Sequence, residues 1–148
     1  MDKVKVLFLC TGNSCRSQMA EGWCRHLKSD AIEAFSAGTI NLGLNSRAVE
    51  VMKEVGVDIA EHKSKTVDQL SEKFFDFVFT VCDRANASCP IFPGTTTIHH
   101  VGFDDPPEKT QDLKEEALIL DEYRKVRDEI KDFIEKIESY LENKDPNS

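Results

Sequence analysis

An open parallel α/β sheet with helices packed on both faces is the fold class that this sequence predicts, on three observations. Short β-branched and aromatic runs alternate with stretches whose apolar residues recur every three or four positions. Glycine, proline and asparagine punctuate the joins. The 148 residues carry 40% hydrophobic and 31% charged side chains, an ordinary globular composition with enough chain to bury a core. No repeat, linker or low-complexity segment divides them, so one domain over residues 1–148 is expected.

The elements follow in order. Val4 to Cys10 is short, β-branched and aromatic and breaks into Thr-Gly-Asn-Ser, a strand ending in a loop. From about Ser17 to Leu27, Met19, Ala20, Trp23, Cys24 and Leu27 mark one helical face, which makes Trp23 a core residue. A second strand, Ala31 to Ala37, leads through Gly38 to Asn45-Ser46, an N-cap for a helix bearing Ala48, Val51, Met52 and Val55, with Gly56 as its stop. Thr66 and Gln69 form a capping box before a short helix striped by Val67, Leu70 and Phe74. Phe75 to Cys82 is the third strand and Thr96 to Val101 a weaker fourth, with Cys89-Pro90 and Pro93-Gly94 between them. Asp104-Asp105-Pro106-Pro107 reads as loop. Tyr123, Val126, Ile130, Phe133, Ile137 and Leu141 define one long amphipathic helix, with fraying after Asn143.

The N-terminus has no long apolar region or cleavage site, and no apolar run approaches the roughly 18–20 residues of a membrane span. A cytoplasmic location with reduced cysteines is therefore expected. The net charge of −8 is uneven: residues 1–30 carry five basic and three acidic side chains, residues 104–148 eight and fifteen. Nucleic acid and anionic membrane need a basic footprint and are poor partners for such a chain. An anion site must be built locally.

Ligands of open parallel sheets bind at the carboxyl ends of the strands. Three features land there: the loop from Cys10 to Ser17, Cys82, and Asp104-Asp105. Cys10-Thr11-Gly12-Asn13-Ser14-Cys15-Arg16-Ser17 sets a cysteine and an arginine around five residues that run from a strand into a helix. Successive N–H groups of such a loop can converge on a tetrahedral oxyanion, helped by the helix N-terminus. Arg16 can close the cradle with its planar fork. The same donors favour the thiolate of Cys10 as a nucleophile, and Ser17 can donate to it. An inert buried cysteine ending a strand is the bland alternative; the glycine, the polar loop and the following helix weigh against it.

These residues closely resemble the low-molecular-weight tyrosine phosphatase superfamily. Gln18-Met19-Ala20-Glu21-Gly22-Trp23 is similar to its thioredoxin-coupled arsenate reductase branch, as are Ser36-Ala37-Gly38, Val81-Cys82, Cys89-Pro90, Gly102-Phe103-Asp104-Asp105-Pro106 and Arg124 to Ile130. The resemblance covers nearly the whole chain and implies a four-stranded parallel sheet flanked by helices. It implies arsenate as substrate, thioredoxin as external reductant and no tightly bound cofactor, in a chain expected to be a monomer. It also implies Asp105, before Pro106, as general acid, with Asp104 its rival and a surface turn the plain alternative.

In that branch Cys10 bonds to arsenic, Cys82 attacks the Cys10 sulfur and expels arsenite, and Cys89 then pairs with Cys82. Cys82 and Cys89 are seven residues apart, about 10 Å along a straight helix, whereas a disulfide needs Cα atoms within roughly 7 Å. Asp83 to Ser88 is therefore expected to rearrange. Cys15 and Cys24 are expected to be structural thiols. A zinc site is disfavoured by the lack of a Cys-x2-Cys pair and by the scatter of His26, His62, His99 and His100.

Some members of the branch hold potassium through residues matching Asn13, Glu21 and Ser36 plus an aspartate whose place here holds Lys65. The expectation is that the Lys65 ammonium takes the cation's role, stiffening Asn13 and the loop through Glu21 and Ser36. Three rival functions stand beside the reductase: a tyrosine phosphatase, for which Pro107 and Glu108 replace aromatic residues that would sandwich a substrate ring; transfer to a small thiol, which would not need Cys89; and a non-catalytic oxyanion sensor, which would need neither acid nor further thiols. A weak phosphatase side activity is compatible with the reductase reading.

Overall fold

The computed structural model describes residues 3–82 and 96–141. Strands β1 (Val4–Cys10), β2 (Ile32–Gly38), β3 (Phe77–Thr80) and β4 (Thr97–His100) form a four-stranded sheet in the order β2-β1-β3-β4. Every pairing is parallel, with Cys10 opposite Gly38 and Leu9 opposite Thr80. The chain leaves β1 for β2 on one side and reaches β3 on the other, so the direction of winding reverses between β1 and β3. At that reversal the crossovers diverge and leave a crevice outside the carboxyl ends.

Helices α1 (Arg16–Lys28), α2 (Ser46–Glu54) and the long α4 (Glu116–Glu135) pack on one face, over Val6, Phe8, Phe77 and Phe79. On the other face Leu7, Leu9 and Val78 meet Leu70 and Phe75. Both faces of the central strands are buried, which explains why Val6 to Cys10 reads as an unbroken apolar run. Trp23 is core, and its indole N–H donates to the Arg127 carbonyl at 3.1 Å.

The local signals at helix ends hold. The Asn45 side chain accepts from the N–H groups of Arg47 and Ala48, capping α2, and Gly56 takes φ +81° just beyond it. Both halves of the Thr66–Gln69 capping box are present, but they close only a 3-10 turn, Val67–Gln69, and Phe74 is exposed rather than on a buried stripe. Leu27 and Val55 also end their helices in solvent.

Two further expectations are corrected. Asp104 to Pro107 is not all loop: Pro106–Lys109 forms a helical turn, α3, with Asp105 at its N-cap. Proline suits that first position because its fixed φ is helical and its missing N–H would have no partner. The terminal helix is not continuous either. It stops at Glu135, the Lys136 and Ile137 N–H groups bond three residues back, and a short α5 (Glu138–Leu141) follows. That tightened turn lays Tyr140 against Phe79, His99 and Phe133, which a straight helix would carry past. The segments expected between β3 and β4, the rearranging Asp83 to Ser88, Cys89, and the frayed end after Asn143 lie outside the described residues.

Candidate active site

The end of β1 delivers Cys10, 3% exposed, into the crevice, and the loop after it turns at Asn13, whose φ of +48° lies in the left-handed region that asparagine tolerates. Gly38, beside Cys10 on β2, permits this turn: a Cβ there would stand 2.6–2.8 Å from the carbonyls of Ile40 and Thr11 and the nitrogen of Asn13. Gly12 is likewise backed closely by the side chain of Leu42. The cleft is lined by Cys10, Thr11, Gly12, Ser14, Cys15 and Arg16 on one side and by Cys82, Phe103, Asp104 and Asp105 on the other.

Asn13 and Ser17, both fully buried, stand behind the loop rather than on its surface. The Asn13 side-chain oxygen accepts from the Lys65 main-chain N–H at 2.9 Å and from Gln18 Nε2 at 3.0 Å. Its NH2 must then face Ser17, and donates to that hydroxyl at 2.9 Å. With one lone pair so occupied, Ser17 turns its hydrogen toward the Cys10 sulfur, 3.1 Å away, and a thiolate gains a charge-assisted hydrogen bond.

Gln18 carries this order further out. Its NH2 also donates to the carbonyls of Asn13 and Lys63, so its oxygen is left for Nδ1 of His62 at 3.0 Å, which must carry the proton. Burial lowers the pKa of His62, against the pull of Glu21.

Arg16 is held at the mouth. One Nη donates to the Phe103 carbonyl at 3.1 Å and the other lies 3.6 Å from an Asp105 oxygen. Its Nε is buried and has no hydrogen-bond partner among the described residues. An oxyanion in the loop would satisfy that donor and share the guanidinium with Asp105. Asp104, by contrast, faces Lys109 at 4.0 Å and is the more exposed carboxylate. Asp105, the general acid that the resemblance implies, thus lies beside Arg16, and its rival Asp104 turns outward.

Cys82 lies just beyond β3, buried, with its sulfur 3.2 Å from the Thr11 hydroxyl. A second thiol therefore reaches the residue next to Cys10. Cys15 and Cys24 sit apart in character: burial, then the neighbouring Cys10 sulfur, push the Cys15 thiol far up, and burial pushes the Cys24 thiol up to about 12. Cys10, Cys15, Cys24 and Cys82 are not joined in disulfides. Cys89 is outside the described residues.

The residues that the resemblance assigns to a cation surround a carboxylate already served by side chains. Glu21, 4% exposed, accepts from the Ser36 hydroxyl at 2.6 Å and lies 3.0 Å from Arg25 Nε and 3.9 Å from Lys65 Nζ. Burial lowers the Lys65 pKa, opposed by Glu21. The link from Lys65 to Asn13 runs through the main-chain N–H rather than through Glu21 and Ser36.

Sequence reasoning missed Leu42, Phe103, Lys109 and Gln111, which also line the cleft. Leu42 is two-thirds exposed and adds an apolar side chain to the lining. Only the repeated contact of the 39–45 segment with the loop places it there, and no local motif announces that contact.

A buried thiol at the start of a loop, with an arginine at the mouth and a carboxylate facing it at the carboxyl edge of a parallel sheet, is the arrangement of a phosphatase-like thiol site. The chain belongs to the low molecular weight phosphotyrosine protein phosphatase family, which matches residues 5–146. It is 45% identical over 135 residues to arsenate reductase 2 of Staphylococcus epidermidis, an alignment covering 91% of this chain and 96% of that one. Its fold is similar to that of an arsenate reductase in the phosphate binding state, with a TM-score of 0.71, 28% identity and coverage of 90% and 95%. It is equally similar to the low molecular weight protein tyrosine phosphatase from T. tengcongensis, with a TM-score of 0.72, 29% identity and coverage of 93% and 99%. Among the described residues no helix is long and apolar enough to cross a membrane.

Proposed function

We propose that this enzyme reduces arsenate to arsenite in the cytoplasm, as a monomer, through a thiol relay from Cys10 to Cys82 to Cys89 that thioredoxin resets. The observation that carries the reading is the second buried thiol, Cys82, 3.2 Å from Thr11 at the lip of the nucleophile's loop. A phosphatase needs one thiol; a reductase needs a second to remove the first from arsenic.

In the first step the Cys10 thiolate, held by Ser17, attacks arsenic while the loop amides and Arg16 bind the oxyanion. Asp105 protonates the departing oxygen, which leaves as water. The Cys82 thiolate then attacks the Cys10 sulfur. A sulfur–sulfur bond forms, the sulfur–arsenic bond breaks, and its electron pair stays on arsenic, which departs as arsenite. Two cysteines have supplied the two electrons. Cys89 next attacks the Cys82 sulfur, freeing the Cys10 thiolate, and a thioredoxin dithiol reduces the Cys82–Cys89 disulfide after Asp83 to Ser88 rearranges.

Lys65 takes the place of a potassium ion on this reading. Support comes from Glu21: with Ser36, Arg25 and Lys65 already around it, its carboxylate does not fit a further cation. No step of the reaction needs the ion, and turnover without potassium is expected.

A phosphatase side activity has its own support in the loop, Asp105 and the exposed Leu42. Arsenite formation with thioredoxin, thioredoxin reductase and NADPH, compared with aryl phosphate hydrolysis, separates the two. The relay requires that Cys10→Ser, Cys82→Ser and Cys89→Ser each abolish thioredoxin-dependent arsenite formation. Full turnover in Cys89→Ser would reject the last disulfide, and aryl phosphate hydrolysis alone in the wild type would reject the reductase.

A further inference from the structure

The carbonyls of Thr11 to Ser14 are each held by a group outside the loop. Thr11 O accepts from the Thr39 and Ile40 N–H groups at 3.0 Å, Gly12 O from Leu42 N–H at 3.1 Å and the Ser64 hydroxyl at 3.0 Å, and Ser14 O from Asn45 N–H at 2.9 Å. Asn13 O accepts from Gln18 at 3.2 Å. In a trans peptide the carbonyl of one residue and the N–H of the next point opposite ways. Pinning these carbonyls outward therefore turns the amides of Gly12 to Cys15 inward, toward a bound anion.

Asn45 is the last of these pins, and its own orientation is determined. Its side-chain oxygen accepts from Arg47 and Ala48 N–H at 2.9 and 3.1 Å, so its NH2 faces the other way, onto the Tyr123 hydroxyl at 3.1 Å. Tyr123 is 1% exposed and belongs to α4, none of whose residues lines the cleft. Neither residue lines the cleft. Burial raises the phenol above its ordinary range, opposed by its hydrogen bonds to Asn45 and Arg47.

We propose that Tyr123 and Asn45 are positioning residues for oxyanion binding: the Tyr123 hydroxyl fixes Asn45, whose N–H holds the Ser14 carbonyl outward and so aims the Cys15 N–H at the anion. This rests on the oxyanion-loop reading of Cys10 to Ser17. It gives α4 a part in substrate affinity and makes Asn45 more than a helix cap.

The test is calorimetric binding of inorganic phosphate to the reduced full chain, in the wild type, Tyr123→Phe, Asn45→Ser and the double variant. Serine keeps a capping oxygen for α2 but cannot reach Tyr123, and phenylalanine keeps the ring in the core. Each single variant should weaken phosphate by about three- to tenfold, the range of one lost hydrogen bond. The double variant should be no weaker than the worse single, and the KM for arsenate should rise with kcat little changed. Unchanged phosphate affinity in both singles, or losses that multiply in the double, would overturn the proposal, and a lowered melting temperature alone would count as unchanged. If the wild type itself failed to bind phosphate, the oxyanion-loop reading would fall instead.

Discussion

The Thr11 hydroxyl and the Cys82 sulfur lie 3.2 Å apart, joining the first residue of the oxyanion loop to the end of β3. Thr11 thus stands next to Cys10 in the chain and beside the Cys82 thiol in space. Its carbonyl is pinned by Thr39 and Ile40 and its hydroxyl is free to serve Cys82. Replacing Thr11 by Val keeps the shape and the main-chain anchors but removes that donor. The expected result is phosphate affinity near wild type and disulfide formation after arsenate addition slowed by about tenfold, the value of one hydrogen bond to a charged sulfur. Rapid-quench mass spectrometry of the Cys10 and Cys82 peptides measures it; equal slowing of phosphate binding would place Thr11 in the anion cradle instead.

Cys15 and Cys24 should be chemically silent. Both are buried and their thiols are pushed upward by desolvation, Cys24 to about 12. Iodoacetamide at pH 8 should label Cys10 in the native chain and reach Cys15 and Cys24 only after unfolding, as peptide mapping would read. Cys24→Ser should retain turnover.

Much of this was legible in the chain because it is local. Cys10 to Arg16, the Asn45 cap, Gly56 and the Thr66–Gln69 box are short-range patterns whose partners lie within a few residues, and the structure keeps each of them. The partners that come from far away were not legible. Lys65 reaches Asn13, Asn45 reaches Ser14 and Tyr123, and Phe103 receives Arg16, across separations that no periodicity encodes. The break at Lys136 was hidden for a related reason: Ile137 and Leu141 keep helical spacing while tertiary contacts of Tyr140 turn the backbone between them. The 3-10 turn at Val67–Gln69 shows that a capping box marks where a helix starts without saying how far it runs.

Stability should fall on the acid side through His62. Burial lowers its pKa in the folded chain below the ordinary 6.5, so the unfolded chain binds more protons in the window below about 6.5, and stability rises with pH there. His62→Gln can still donate to the Gln18 oxygen but does not titrate. Its melting temperature between pH 7.5 and 5.5 should therefore decline less than that of the wild type; parallel declines would remove His62 from the account.

Gly38→Ala should be costly despite its small size. The added methyl would meet main-chain atoms of Ile40, Thr11 and Asn13 at 2.6–2.8 Å, none of which can rotate away. Overpacking of this kind costs about 1–3 kcal/mol, and here the strain falls on the oxyanion loop. Chemical denaturation should show the loss and phosphate titration a weakened site; wild-type affinity would mean that the loop adapts.

The most direct measurement of the central claim is a single turnover in reduced Cys89→Ser. One equivalent of arsenate should yield one arsenite per chain and a Cys10–Cys82 disulfide identifiable by peptide mass mapping, because the relay then stops one thiol short. Arsenite released without that disulfide, or no arsenite while Cys10 remains reactive, would contradict the assignment of Cys82 as the thiol that takes arsenic off Cys10.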